Sequence, residues 1–579
     1  MQSYLQYRRL GNAVRKQLNG LNVHHDVPSA VKETGPVGDS NISHASPSTL
    51  AQTDPKPATR SASGPSEKTA LADSLTGVEV QKQADSPDRP PHVFLVGWDG
   101  ENDPLCPRNF SFSRRLVVTL LLSALAWIVG AASSINSGVL PQNTEAFHVS
   151  DVVGSLVTGL YLLGFAAGSL VSGPLSEILG RNLVYTGSLT LFMIFIMASA
   201  LAPNIGAQLA FRFLAGIFGC PPLTCAGGTI ADLWNPLEKT IYFPLYAILS
   251  FGGPVLGPAI ASYMGQTGVL SWRWTGWIIL IMSGAIFALI IFFQPETYSP
   301  LLLKWKGKHL RQMTGDQRFR SEMDMERITL WDRIGGAMKR QFLITIHEPI
   351  VLLISLYMTV LYIVLFTFFD GYTYIFTDVH GLSQGLTNIV WVAMYVGILL
   401  STLLVVPIYR ATKTEFTAAA HAADRADPTV DLHALDGVHT RPEIRLWFAM
   451  VGAPFIPISL FWMGWTDFPS VSVWSPIIAS SFFGLGTICV FISSYMYVID
   501  SYSIYAASAL GFMTVSRYFA AGGMTIVGIP FYQNMGVHWT LTILGCISAI
   551  MVPVPYVFYR FGPVIRQWSR YAVAEEVKV

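Results

Sequence analysis

The chain has 579 residues, 51% of them hydrophobic and only 13% charged, about half the charged fraction of an ordinary soluble domain, which excludes a typical cytosolic protein. Its 37 Lys and Arg nearly balance 36 Asp and Glu, so net charge draws it neither to nucleic acid nor to an acidic polymer. The five cysteines, Cys106, Cys220, Cys225, Cys489 and Cys546, are scattered with neither a disulfide framework nor a zinc spacing, so no metal and no cofactor is expected.

Residues 1 to about 113 are rich in Ser, Pro, Asp, Lys and Asn. Such a composition buries too little apolar surface to offset the entropy of ordering, and a disordered tail is expected over 1–113. Its opening string, MQSYLQYRRLGNAVRKQLNG, carries Arg8, Arg9, Arg15 and Lys16. Without an apolar core or a small-residue cleavage site it is no secretory signal, although a short amphipathic helix fits it.

From Leu116 onward, long apolar runs alternate with polar or Gly/Pro-rich breaks, each run matching the roughly 20 helical residues that cross a hydrocarbon core about 30 Å thick. Twelve spans are predicted, near 116–137, 152–174, 183–202, 207–231, 241–264, 275–293, 349–370, 386–409, 446–465, 475–498, 507–530 and 539–560. A polar loop at 294–348 divides them into an N-terminal bundle, 114–293, and a C-terminal bundle, 349–560, followed by a short tail, 561–579. The expected fold class is an all-α membrane protein with twelve transmembrane helices in two six-helix halves, the construction that alternating-access carriers build around a midplane cavity. A channel, a receptor or a membrane enzyme also fits the span count alone.

Short loops rich in Lys and Arg stay cytoplasmic. With the N-terminus inside, the external connections contain only Arg273, whereas the internal ones hold Arg181, Lys239, ten Lys and Arg of the central loop, and a further group from Arg410 to Arg570. Both termini are therefore expected in the cytoplasm.

Several strings carry chemistry. The turn after the second span reads GPLSEILGRN, with Gly173, Glu177, Gly180 and Arg181. The fourth span places Arg212 several residues inside its apolar run and Asp232 near its cytoplasmic end. An intramembrane ion is costly and so is a functional candidate; the alternative for Arg212 is that it snorkels to the outer interface. In the fifth span, SFGGPVLGPAIASY carries Gly252, Gly253, Pro254, Gly257 and Pro258, and the eleventh echoes it with AAGGMTIVGIP.

In that order the strings resemble motifs A, B and C of the major facilitator superfamily. With WDGENDPLCPRNFS, WRWTGW, PETYSPLLLKWKGKHLR, PEIRL, YVIDSYSIYAASALGF and YRFGPVIRQWSRYA they look like its fungal twelve-span drug:proton antiporter group, over roughly 98–571. The resemblance implies that a small residue of the GPLSEILGRN string permits close helix approach, that an acid, Glu177, sits by a helix end, that Arg181 ties the cytoplasmic gate, and that Arg212 takes part in proton coupling. It also implies that the Gly/Pro string of the fifth span is an antiporter signature. Asn182 stands where a second basic residue is usual. Arg273, Glu296 and Asp500 with Tyr502 fall on family motif positions, and a charge pair between Asp500 and Arg517 would soften the cost of Arg517 in the eleventh span.

The first span has no Asp or Glu, so the proton-carrying acid lies elsewhere, and Asp232 tuned by Arg212 is the first choice. Candidates for a substrate cavity are Asn136, Tyr161, Tyr246, Phe366, Phe369, Asp370, Tyr374, Tyr495 and Tyr497, because aromatic walls suit bulky amphipathic or cationic ligands. Asp370 would favour cations if it faces the cavity; otherwise it is a loop residue. No nucleophile or metal spacing supports an enzyme. The leading expectation is a proton-driven exporter of drugs, fungicides or an endogenous secondary metabolite, monomeric and multi-pass. Its partners are a small molecule, protons and the bilayer, with plasma membrane the first location and vacuolar membrane the second. An importer, a polyamine transporter or a receptor built on a carrier fold are the alternatives.

Overall fold

A computed structural model of the chain describes residues 1–25, 75–82, 92–264, 270–325, 330–426, 441–502 and 505–569. Two compact units emerge. The first comprises Met1–Gln6, Pro104–Leu301 and Arg327–Val579, the second Tyr7–Asp103 and Leu302–Glu326.

In the first unit the apolar runs become helices: Phe112–Phe147, Asp151–Leu179, Arg181–Ala200, Ile205–Leu233, Lys239–Ile260, Trp274–Phe293, Pro349–Val379, Gln384–Ala418, Pro442–Trp465, Trp474–Tyr502 and Ala506–Gln567. The last is two crossings run together, because Gly536 breaks its helical geometry with φ +73°. Eleven stretches thus make the expected twelve spans, hereafter the first to the twelfth. Several helices outrun the apolar window, the second to Leu179 and the tenth to Tyr502. Hydropathy stops at the edge of the hydrocarbon, whereas backbone hydrogen bonding continues to the next breaker. Apolar side chains that point away from the bundle, such as Ile281, Leu403 and Ile550, are largely exposed, as lipid-facing positions are.

Small residues set the closest approaches. A Cβ on Gly253 would strike the Trp127 carbonyl, one on Gly252 would come within 2.8 Å of the Trp127 indole nitrogen, and Gly130 faces Pro254 across the same contact. The Gly/Pro string of the fifth span is therefore a packing face against the first. Gly173 is different. Nothing lies within 4 Å of a Cβ added there, so no neighbour packs closely on that glycine.

The 294–348 segment, expected as a loop, contains α2 (Ser299–Thr314) and α3 (Leu330–His347); α1 (Gln2–His25) precedes them in the chain. Its described parts contribute to both units. α3 belongs with the membrane unit, where buried Gln341 donates to the Leu170 carbonyl at 3.3 Å.

The second unit has a three-stranded sheet of β1 (Val78–Lys82), β2 (His92–Val96) and β3 (Phe319–Arg320). β1 runs antiparallel to β2 with Val78 opposite Val96, and β3 lies parallel to β2 with Phe94 opposite Phe319. Val14, Leu75, Phe94, Val96, Leu310 and Phe319 form its core, and Lys306 closes on Asp99 at 2.7 Å. The expected disorder of the tail thus does not extend to these residues, for segments more than 200 positions apart supply one another's partners, which no local periodicity displays. The rest of that expectation, at 26–74 and 83–91, lies outside the described residues.

Candidate functional site

The turn between the second and third spans is built on a carboxylate from the end of the sixth. Glu296 accepts the backbone N–H groups of Arg181 at 2.9 Å, Asn182 at 3.1 Å, and Thr297 and Tyr298 at 3.0 Å each, an anion seated on a helix N-terminus. Gly180 makes this approach possible. Its φ is +91°, and a Cβ there would lie 2.6 Å from Glu296 Oε2. Burial pushes the Glu296 carboxyl above its ordinary value, opposed by the N–H donors.

Asn182, in the usual place of a second cation, donates its side-chain amide to the Gln294 carbonyl at 2.6 Å and to Ser3 Oγ at 2.7 Å. Gln6 and Glu296 exchange side-chain and backbone bonds of 3.1 and 2.6 Å, and Gln2 donates to the Phe292 carbonyl at 2.9 Å. The first six residues are thereby fastened to the sixth span and its exit. Arg181 contacts Ser176, pairs with Asp232 at 3.4 Å and lies over the Tyr298 ring at 5.1 Å.

On the same face a second ionic group joins the two halves. Asp500 accepts from Arg445 at 2.6 Å and from Lys239 at 3.0 Å, while Arg445 also reaches the Pro236 carbonyl at 2.7 Å and the Thr240 hydroxyl. The expected pair between Asp500 and Arg517 does not form, because two nearer cations occupy the carboxylate. Lys239 and Arg445 escaped the sequence reading as site residues, although Arg445 sits in the PEIRL string. At the opposite face Gln384 bonds Gln142 and the Gly138 carbonyl at 2.9 Å each, Asn388 reaches the same carbonyl at 3.1 Å, and Ser155 donates to the Thr525 carbonyl at 2.8 Å. The halves touch at both faces, so the structure is occluded.

Between the faces lies a narrow cavity of about 20 Å³, walled by Phe165, Tyr246, Tyr362, Phe366, Phe491 and Tyr518 among others. Of the sequence candidates Tyr246 and Phe366 line it. Asn136, Phe369 and Asp370 line a smaller pocket nearer the opposite face, with Ser155, Thr158 and Thr525. Asp370 is thus buried rather than a loop residue, and it is not in the central cavity.

The remaining candidates go elsewhere. Tyr161 spends its hydroxyl on the Val129 carbonyl at 2.9 Å, Tyr374 stacks on Tyr532, and Tyr497 packs on Phe558. Tyr495 sits beside Arg517. An aromatic in an apolar helix reads the same whichever side it faces, which is why these could not be sorted beforehand.

Arg212 does not snorkel. It is buried and donates to the Ala132 carbonyl at 2.8 Å beneath the Tyr161 ring. Asp232 is engaged instead by Arg181, so the proposed tuning of Asp232 by Arg212 has no direct contact behind it. Arg273 closes the end of the third span on the Ala200 and Ala202 carbonyls at 2.6 and 3.2 Å, a cap within one half. Among the described residues no group of three or more His, Cys, Asp or Glu is placed to hold a metal ion.

A family model described as Major Facilitator Superfamily matches residues 122–525. The chain belongs to that superfamily. Among its relatives are the MFS-type transporter kojT of Aspergillus flavus and that of Aspergillus oryzae, each 48% identical over 478 residues, covering 83% of this chain and 82% of the relative. The uncharacterized transporter mfs2 of Schizosaccharomyces pombe is 38% identical over 485 residues, 83% of this chain and 84% of its own. Among solved structures, the proton:xylose symporter XylE with a bound bromodeoxyglucose shares the fold at a TM-score of 0.55 and 14% identity, over 78% of this chain and 96% of that one. A partially occluded inward-open form of XylE from E. coli aligns at 0.53 and 15% identity, over 78% and 98%. This superfamily member is a multi-pass membrane transporter for a small-molecule substrate.

Proposed function

We propose that the chain exports a small amphipathic organic molecule in exchange for protons, with the Arg181 face cytoplasmic and the plasma membrane as its location. The observation that carries this reading is the aromatic cavity between two halves that are joined at both faces, the occluded member of an alternating-access cycle. Outward direction is supported by the Gly/Pro face of the fifth span, seated against the first as an exporter motif would be. Proton coupling is assigned to Asp232. Protonation would neutralise it, release Arg181 and unlatch the turn that Glu296 organises; carboxylate and guanidinium hold each other only while both are charged. Arg212, tied to a carbonyl, is assigned to positioning the first span against the fourth. The position of Arg517 behind the cavity wall weighs against a polyamine as the substrate.

The test is efflux from cells that express the protein and are loaded with fluorescent dyes of either charge, with and without a protonophore. Protonophore-sensitive extrusion that Asp232→Asn abolishes at equal protein level is expected. Extrusion indifferent to both the protonophore and the substitution would sink proton coupling, and accumulation in place of extrusion would reverse the direction.

A further inference from the structure

Arg517, in the eleventh span, is wholly buried. Its Nε, Nη1 and Nη2 meet no hydrogen-bond acceptor among the described residues. Rings surround it instead, with Cζ 4.7 Å from the centre of Tyr362, 4.8 Å from Tyr518, 5.2 Å from Tyr495 and 5.5 Å from Phe491. Tyr362, Tyr518 and Phe491 are also walls of the central cavity, whose other walls carry no charged side chain. The guanidinium therefore stands directly behind three cavity rings, and the nearest expected carboxylate, Asp500, is held by Arg445 and Lys239.

Aromatic faces attract a cation but accept none of its donors well. A guanidinium has five N–H groups in a fixed fork that fits a carboxylate bidentately. Leaving that fork unmade at membrane depth is costly, and protein interiors keep such charges paired. Here no described residue meets the fork in hydrogen-bond geometry, while the central cavity, lined by three of the same rings, adjoins the site.

We propose that Arg517 is the counter-charge for the transported molecule, a small flat organic anion of the aromatic carboxylate type. Its charged end reaches the fork between the Tyr362 and Tyr518 rings, which meet edge-on at 5.3 Å, and its ring lies among the aromatic walls. Cations are disfavoured by the same charge. This assignment of substrate class rests on the exporter reading above for its transport step, and on the cavity alone for its binding step.

Purified full-length protein in detergent is tested for binding by thermal shift with benzoate, benzamide and benzylamine, which share a shape and differ in charge. Efflux of the three from proteoliposomes is then measured under a proton gradient. Benzoate should bind at least about tenfold more tightly than benzamide, the discrimination a matched polar site achieves, and benzylamine least. Arg517→Gln should abolish the benzoate preference and Arg517→Lys should keep part of it.

Equal or tighter binding of the amide or the amine, no binding of any probe, or unchanged benzoate affinity in Arg517→Gln would each overturn the proposal. The wild-type ranking needs no variant, so a misfolded Arg517→Gln leaves the decision intact. Benzoate binding without proton-driven efflux keeps the anion site and sinks the exporter reading; efflux of benzylamine with no benzoate binding does the reverse.

Discussion

Gly180 shows how much one residue of the turn after the second span carries. Its φ of +91° and the 2.6 Å that would separate an added Cβ from Glu296 Oε2 combine a backbone penalty with a steric one. Gly180→Ala should therefore lower stability by about 1–3 kcal/mol, seen as a lower thermal midpoint in detergent, whereas Gly173→Ala, facing open space, should be nearly silent. If the two substitutions cost the same, the Glu296 seat is not what the glycine is for. The local string GPLSEILGRN marked both glycines alike. Only the position of Glu296, far along the chain, tells them apart.

At the scale of elements, the loop between the ninth and tenth spans meets the end of the seventh through His380 and Asp467, whose Nε2 and Oδ1 are 3.3 Å apart with both side chains buried. Burial pushes the Asp467 carboxyl up to about 7, with nearby His538 opposing it, and pushes His380 below its ordinary value. A carboxyl raised above its unfolded pKa of about 4 favours the fold when protonated, so its contribution is full at low pH and is lost as pH rises through about 7. A lowered histidine has the opposite slope: its contribution is present above about 6.5 and is lost as pH falls. The two slopes oppose each other where they overlap, below about 6.5, which leaves an acid limb set by His380 and an alkaline limb that falls toward about pH 7. Asp467→Asn should remove the alkaline limb while leaving the acid one, and a thermal midpoint series from pH 5 to pH 9 would expose an unchanged alkaline limb if the carboxyl is not its source.

The elements themselves were legible beforehand because a bilayer crossing is encoded locally, in about 20 consecutive apolar residues. Pairings were not. Asp500 takes partners 261 and 55 positions away in the chain, and β2 takes one from beyond the first six spans. In each case the nearer-looking choice, Arg517 for Asp500 and a disordered tail for β2, was the wrong one, since composition and spacing say nothing about which distant segment arrives.

For the whole molecule, the Asp500 group is the tie between halves at the Arg181 face. Asp500→Asn strands buried Arg445 and half-buried Lys239, a loss of about 3–5 kcal/mol for a buried pair, enough to shift a balance of conformers by more than tenfold. With native cysteines removed and Leu223→Cys placed in the cavity wall, alkylation by a membrane-impermeant reagent from that face should accelerate at least about tenfold in Asp500→Asn. Unchanged alkylation would mean that contacts other than this group keep the face shut.

The clasp of Gln6 on Glu296 also sets a clock. Those partners are 290 residues apart, and ribosomes add about 5–20 residues per second, so the start of the chain waits on the order of 15 to 60 s before its seat exists. During that interval the third span has emerged with its N-terminal amides uncapped by Glu296. The clasp of Gln6 on Glu296 therefore closes only on the sixth span's arrival, which, rather than the first span's insertion, marks completion of the N-terminal bundle.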